Sequence, residues 1–156
     1  MARRYKPEKR EVTPDVRYNN QHIQMLINHI MLRGKKSTVT TLVYDAIDMI
    51  SEKTGKDGVE VLEQALKNVS PVMEVRPRRV GGATYQVPME VSPERRLTLA
   101  IRWIIASSRA RTGKSYSEKL AGELMDAAEN QGASIRRKEE THKMAEANRA
   151  FSHFRV

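Results

Sequence analysis

The chain has 156 residues, no cysteine, and 28 Lys and Arg against 19 Asp and Glu, a net charge of +9 with pI near 10.0. That length suits one domain, which would hide about 70% of the surface its unfolded form exposes, and the lack of cysteine excludes a disulfide framework, a thiolate metal site and a cysteine nucleophile. Apolar runs are only a few residues long and the N-terminus is basic and polar, so neither a membrane span nor a secretory signal is expected and the cytoplasm is the expected location.

Residues 1–20 carry Arg3, Arg4, Lys6, Lys9 and Arg10 with almost nothing to bury, and read as a basic N-terminal arm that orders on a partner. Residues 21–156 then form the folded domain. Ile23, Leu26, Ile27, Ile30 and Met31 make a helical stripe closed by Gly34, and Val39, Leu42, Val43, Ala46, Ile47 and Ile50 make a second that stops at Gly55. Asp57 with Glu60 has the form of a helix start, and Leu62, Ala65, Leu66 and Val69 continue it to Ser70-Pro71.

A β-ribbon is expected at about 72–91. A three-residue loop at Gly81-Gly82-Ala83 would set Arg79 opposite Tyr85, Pro77 opposite Val87 and Val75 opposite Met89, gathering the apolar groups on one face and Glu74, Arg76, Arg78, Thr84 and Gln86 on the other. Pro77 and Pro88 lie on opposite strands and cannot donate to a ladder, so the ribbon is expected to stand alone. Ser92-Pro93-Glu94 starts a fourth helix with Leu97, Ala100, Ile101 and Ile104 inward and Arg95, Arg102 and Arg109 recurring every seven residues along one flank. Ser115 and Glu118 read as a capping box for a fifth helix. A weakly amphipathic C-terminal helix at about 134–153 is expected to pack poorly and to serve a partner. The fold class is therefore mainly α, a single domain of about six helices with a protruding two-stranded hairpin between helices three and four.

Charge is segregated along the chain. Residues 1–36 carry nine basic against three acidic groups, 37–75 three against seven, 76–114 nine against two, and 115–156 seven against seven. Two concentrated basic blocks are the footprint of a nucleic-acid binder, because each Lys or Arg placed at a phosphate releases condensed counterions. Catalytic signals are weak by comparison. Gly113-Lys114-Ser115 resembles the end of a phosphate-binding loop, but the position five before Gly113 is Ser108. The histidines have no metal-ligand spacing, Glu139-Glu140 sits among cations, and neither a cofactor nor a metal is expected. Tyr44 and Trp103 read as packing groups, whereas Tyr85 could face the apolar side of the ribbon or stack on a base.

The stretches Gly34-Lys35-Lys36-Ser37, Glu74-Val75-Arg76-Pro77-Arg78-Arg79-Val80-Gly81-Gly82, Tyr85-Gln86-Val87-Pro88, Ala100-Ile101-Arg102-Trp103 and His142-Lys143-Met144-Ala145-Glu146-Ala147-Asn148-Arg149-Ala150-Phe151 stand out as a set. With them the chain resembles the bacterial small-subunit ribosomal protein seven family. The resemblance implies a non-enzymatic ribosomal constituent that binds the 3′ domain of 16S rRNA first and nucleates head assembly. It also implies a place near the exit site, close to tRNA and mRNA, with small-subunit proteins nine and eleven as neighbours. RNA-binding residues would be Arg3, Arg4, Lys6 and Arg10 on the arm, Lys35 and Lys36 in the first interhelical turn, Arg76, Arg78 and Arg79 on the ribbon, and Arg95, Arg96, Arg102 and Arg109 on helix four. Gly81, Gly82, Tyr85, Lys143 and Arg149 would meet tRNA, mRNA or protein. One departure is Pro14-Asp15, where many relatives have Asp-Pro.

Two rivals stand beside this reading. A helical DNA-binding regulator would use helix one or helix four as its recognition helix, yet helix four carries an apolar stripe and the ribbon then has no role. An RNA-modifying enzyme would need a catalytic constellation that the sequence does not offer.

Overall fold

The computed structural model describes residues 10–154. Its elements are α1 (Gln21–Ile30), α2 (Lys36–Thr54), α3 (Gly58–Val69), β1 (Met73–Val80), β2 (Ala83–Glu90), α4 (Pro93–Ala110), α5 (Tyr116–Ala128), α6 (Gly132–Ala147) and a C-terminal 3-10 helix (Arg149–Phe154). Six α-helices and one hairpin between α3 and α4 agree with the fold class expected from periodicity. The apolar stripes converge on α5, which packs on α2, α3, α4 and α6. Its Leu120, Ala121 and Leu124 meet Ile23, Ile27, Ile47, Ile50, Leu62 and Ile104 in one buried core, the non-directional burial that holds most such domains together. Gly58 marks a close approach of α3 to α2, where an added Cβ would lie 2.5 Å from the Ile47 carbonyl oxygen.

Helix starts follow the local chemistry with two differences. Asp57 accepts from the Val59 N–H at 2.9 Å and Ser115 Oγ from the Glu118 N–H at 3.2 Å. The Glu118 carboxylate takes the Lys114 N–H rather than that of Ser115, so the box closes one residue early. Ser92 caps α4 through its carbonyl, which accepts from the Arg95 and Arg96 N–H groups, with no side-chain bond. Residues 15–20, assigned to the arm by composition, are anchored on the helices. Asp15 is buried and accepts from the backbone N–H groups of Arg17 and Tyr18 and, at 2.6 Å, from the Tyr44 hydroxyl. Asn20 caps α1.

The ribbon differs from expectation in register. Its loop has two residues, Gly81 and Gly82, with φ of 57° and 88°, the doubly positive pattern of the tight turn whose twist matches paired strands. Val80 therefore faces Ala83, Arg78 faces Tyr85, Arg76 faces Val87 and Glu74 faces Met89. Every partner moves by one residue, so Glu74, Arg76 and Arg78 share a face with Tyr85, Val87 and Met89. Sorting the faces by polarity misleads because burial also varies along the ribbon. Glu74, Val87 and Pro88 at the base are buried, while residues 79–84 near the tip are exposed.

No third strand joins the ribbon among the described residues, as Pro77 and Pro88 predict, but the chain's own helices brace it. β1 packs on α6 and β2 on the 3-10 helix. Tyr85 and Phe151 rings meet with centroids 5.2 Å apart, and His142 Nε2 accepts from the Val72 N–H at 3.1 Å. The C-terminal helix ends earlier than expected, at Ala147, and it is docked through buried Ser134, Ile135, Thr141 and Ala145. Two of those four are hydroxyl residues, which is why its inward stripe is faint in the sequence.

Candidate nucleic-acid interface

The base of the ribbon gathers arginines from two elements around one carboxylate. Alternation along β1 puts Glu74 and Arg76 on the same face, and the first turn of α4 brings Arg95 to them. Arg76 Nε donates to Glu74 Oε1 at 2.6 Å, and Arg95 Nε donates to Oε1 and Oε2 at 2.9 and 2.8 Å. The Glu74 side chain is only 9% exposed, whereas those of Arg76 and Arg95 are 49% and 44% exposed. Arg96 folds onto the same junction, its Nε donating to the Val91 carbonyl at 2.8 Å and its Nη2 to Glu90 at 2.9 Å. Arg78 is half-buried opposite Tyr85, and Arg79 is exposed opposite Thr84.

From this junction a basic path runs along α4. Arg95, Arg102 and Arg109 lie on one flank, and at 1.5 Å per residue they span about 21 Å. Arg102 is exposed and forms no ion pair among the described residues. Arg109 Nη2 donates to the Ile30 carbonyl at 3.3 Å, so this arginine also closes the last turn of α1. It lines an open groove with Leu32, Lys35 and Tyr116, which ties the far end of α4 to the first interhelical turn. Lys35 and Lys36 are exposed there, as is Arg33, whose φ of 53° turns the chain beside Gly34. Arg33 was missed in the sequence, although its position beside Gly34-Lys35-Lys36 was the available signal.

The remaining candidates are dispersed. Arg10 is exposed, while Arg3, Arg4 and Lys6 lie outside the described residues. Gly81 and Gly82 form the exposed tip. Tyr85 is half-buried against Phe151, which places its ring in packing rather than on an open stacking platform. Lys143 and Arg149 are exposed, and Arg149 lines a cavity of about 430 Å³ between the ribbon base and α6 with His142 and Pro88. Burial and the nearby Lys138 push the His142 pKa down, in keeping with a neutral ring that accepts the Val72 N–H.

Some basic residues are structural. Arg111 Nη1 donates at 2.7 Å to both Glu123 and Asp126, and those bonds raise its pKa. Lys138 Nζ donates to the Asn68 carbonyl at 2.6 Å, satisfying the end of α3. Arg17 pairs with Asp48 through two 3.0 Å bonds and lies 5.0 and 5.4 Å from the Tyr18 and Tyr44 ring centroids.

Among the described residues no group of three or more His, Asp or Glu side chains could hold a metal ion, and no helix is long and apolar enough to cross a membrane. What the arrangement offers chemically is a set of fixed guanidinium groups and exposed ammonium groups on a helical frame, the donor set that clamps phosphates. Comparison with known proteins agrees with that chemistry. A family model described as Ribosomal protein S7p/S5e matches residues 2–149. Proteins named Small ribosomal subunit protein uS7 from Thermoanaerobacter sp. (strain X514) and Caldanaerobacter subterraneus subsp. tengcongensis are each 60% identical over 155 residues, covering 99% of both chains. The protein of that name from Streptococcus uberis is 57% identical with the same coverage. With the match spanning nearly the whole chain at such identity, the protein belongs to the ribosomal protein S7p/S5e family.

Proposed function

We propose that this protein binds the 3′ domain of 16S rRNA as a primary assembly protein, nucleates the head of the small subunit and lies near the exit site, close to tRNA and mRNA. Membership of the family makes it a structural constituent of the small ribosomal subunit, not an enzyme. It works in the cytoplasm as part of the ribosome, where it contacts rRNA and other ribosomal proteins, with small-subunit proteins nine and eleven as the proposed neighbours. The single observation that carries the reading is the continuous basic path from the ribbon base along α4 to the Lys35 and Lys36 turn. Its phosphate contacts would recognise the shape of folded RNA, because A-form helices hide their base edges in a deep, narrow groove. A DNA-regulator reading finds little support: with α1 or α4 as a recognition helix, the ribbon and the arginines gathered at its base would have no role.

The test uses residues whose removal strands no acid. Arg79, Lys36 and Arg102 are exposed and form no ion pair among the described residues. Changing all three to Ala is expected to leave the helical CD spectrum intact and to lower the log–log salt slope for binding a 3′-domain rRNA fragment by about two, at roughly 0.7 to 0.9 per lost phosphate contact. An unchanged slope would remove the path from the interface.

A further inference from the structure

We propose that Glu74 is a positioning residue that turns Arg76 and Arg95 into one two-armed clip for a single RNA phosphate, an inference that rests on the rRNA-binding reading above. A buried carboxylate at a strand position is costly unless fully paired. As a device for stability alone it is a poor one, since a well-packed apolar residue generally serves as well. Glu74 lies instead in a setting that suits an orienting role. It lines a groove with Leu99 and Trp103 beneath the ribbon, and its two partners keep about half of their side chains in solvent while the acid keeps almost none. The charged groups that would face RNA are therefore the arginines, with the acid behind them.

Geometry supports a shared ligand. Both guanidinium groups reach Oε1 of Glu74 through Nε, so the two Nε atoms lie within about 5.5 Å of each other, the sum of the two bond lengths. Each guanidinium carries four further N–H donors in a planar fork that matches phosphate geometry. Two cations held this close would repel without the acid between them. With it, the trio carries a single net positive charge, the complement of one phosphodiester. Glu74 also fixes in advance two long side chains, drawn from β1 and α4, that binding would otherwise have to order.

This produces a result that net charge alone would not. Glu74→Gln makes the protein one unit more positive, which favours any polyanion. If Glu74 positions the arginines, the same change weakens binding to the 3′-domain fragment by about ten-fold, the scale of coupling within one ion-pair network, and lowers the salt slope by roughly one. Affinity for a generic RNA duplex stays equal or rises. In a background where Arg76 and Arg95 are both Ala, Glu74→Gln no longer weakens binding, and Glu74→Asp in the parent retains part of the wild-type affinity. A second measurement avoids reliance on the Glu74 variants folding. Phosphate-ethylation interference with the Arg76→Ala and Arg95→Ala proteins should show both losing sensitivity to the same phosphate. Equal or tighter fragment binding by Glu74→Gln, an undiminished effect in the double-Ala background, or two different phosphates would each overturn the clip. Failure of the wild-type protein to prefer the fragment over the duplex would overturn the rRNA reading and the clip together.

Discussion

Glu123→Ala is expected to be among the most destabilising single changes in this protein, because the carboxylate joins three elements from a position with no solvent contact. Its side chain is 0% exposed. Oε1 accepts from the Ser134 N–H at 3.0 Å and the Ser134 hydroxyl at 2.6 Å, and Oε2 accepts from Arg111 at 2.7 Å. Removing the acid strands both donors of the buried Ser134, and a stranded buried donor costs about 1–3 kcal/mol. Breaking one side of a buried ion pair costs about 3–5 kcal/mol, but Arg111 keeps its bond to Asp126 and a third of its side chain in solvent, which favours the lower end. We expect a loss of about 4 kcal/mol, a large share of the 5–15 kcal/mol typical of a domain. At about 2–4 °C per kcal/mol for a chain of this size, the melting midpoint should fall by about 10 °C. Urea denaturation followed by far-UV CD measures the first quantity and a thermal scan the second. Glu123→Gln, which keeps an acceptor for Ser134 but turns a donor toward Arg111, should fall between the two proteins. An Ala variant within about 1 kcal/mol of the parent would refute the assignment of this cluster as the lock at the start of α6.

Other changes probe the packing that supports the ribbon. Gly58→Ala should cost about 2 kcal/mol in urea denaturation, as overpacking does, because the new methyl would sit 2.5 Å from the Ile47 carbonyl oxygen and 2.8 Å from its Cγ2; an unchanged midpoint would contradict the close crossing of α2 and α3. Phe151→Ala should cost about 1 kcal/mol and lower NMR order parameters around Tyr85, whereas unchanged values would mean that the ribbon is held by its base alone. His142 has a folded pKa below its ordinary 6.5 through burial and then Lys138, so on acidification the unfolded chain takes the proton first. The stability it confers is complete above pH 6.5 and is lost as pH falls below that value. Exchange protection of the Val72 amide, corrected for intrinsic rates, should hold above about pH 6.5 and fall below it in the parent, and stay level in His142→Gln; equal behaviour would place the proton elsewhere.

Periodicity was sufficient for α1 to α5 because each buries a stripe rich in Leu, Ile, Val and Ala at 3.6-residue spacing, as in α3 with Val61, Leu62, Ala65, Leu66 and Val69. It failed where polar groups are buried. Asp15, Glu74 and Glu123 are interior acids, each held in part by a partner 29, 21 or 12 residues away in the chain, and nothing local announces that distant pairing. The hairpin was legible from Gly81-Gly82, but its register turned on loop length, and the two-residue turn is set by both glycines taking positive φ. The basic residues were legible as a set and not in their individual work. Arg102 remains solvated on an open flank, whereas Arg95 is tied to Glu74, Arg109 closes α1 and Arg111 is tied to Glu123 and Asp126. Solvation and pairing look alike in a string of letters.

The central claim is selective recognition of folded rRNA. A salt-titrated binding assay against the 3′ domain of 16S rRNA, with duplex DNA and an unrelated folded RNA as competitors, tests it most directly. The account predicts tight, salt-sensitive binding that neither competitor displaces at equal nucleotide concentration. Equal affinity for all three would contradict it and leave only a generic binder of polyanions.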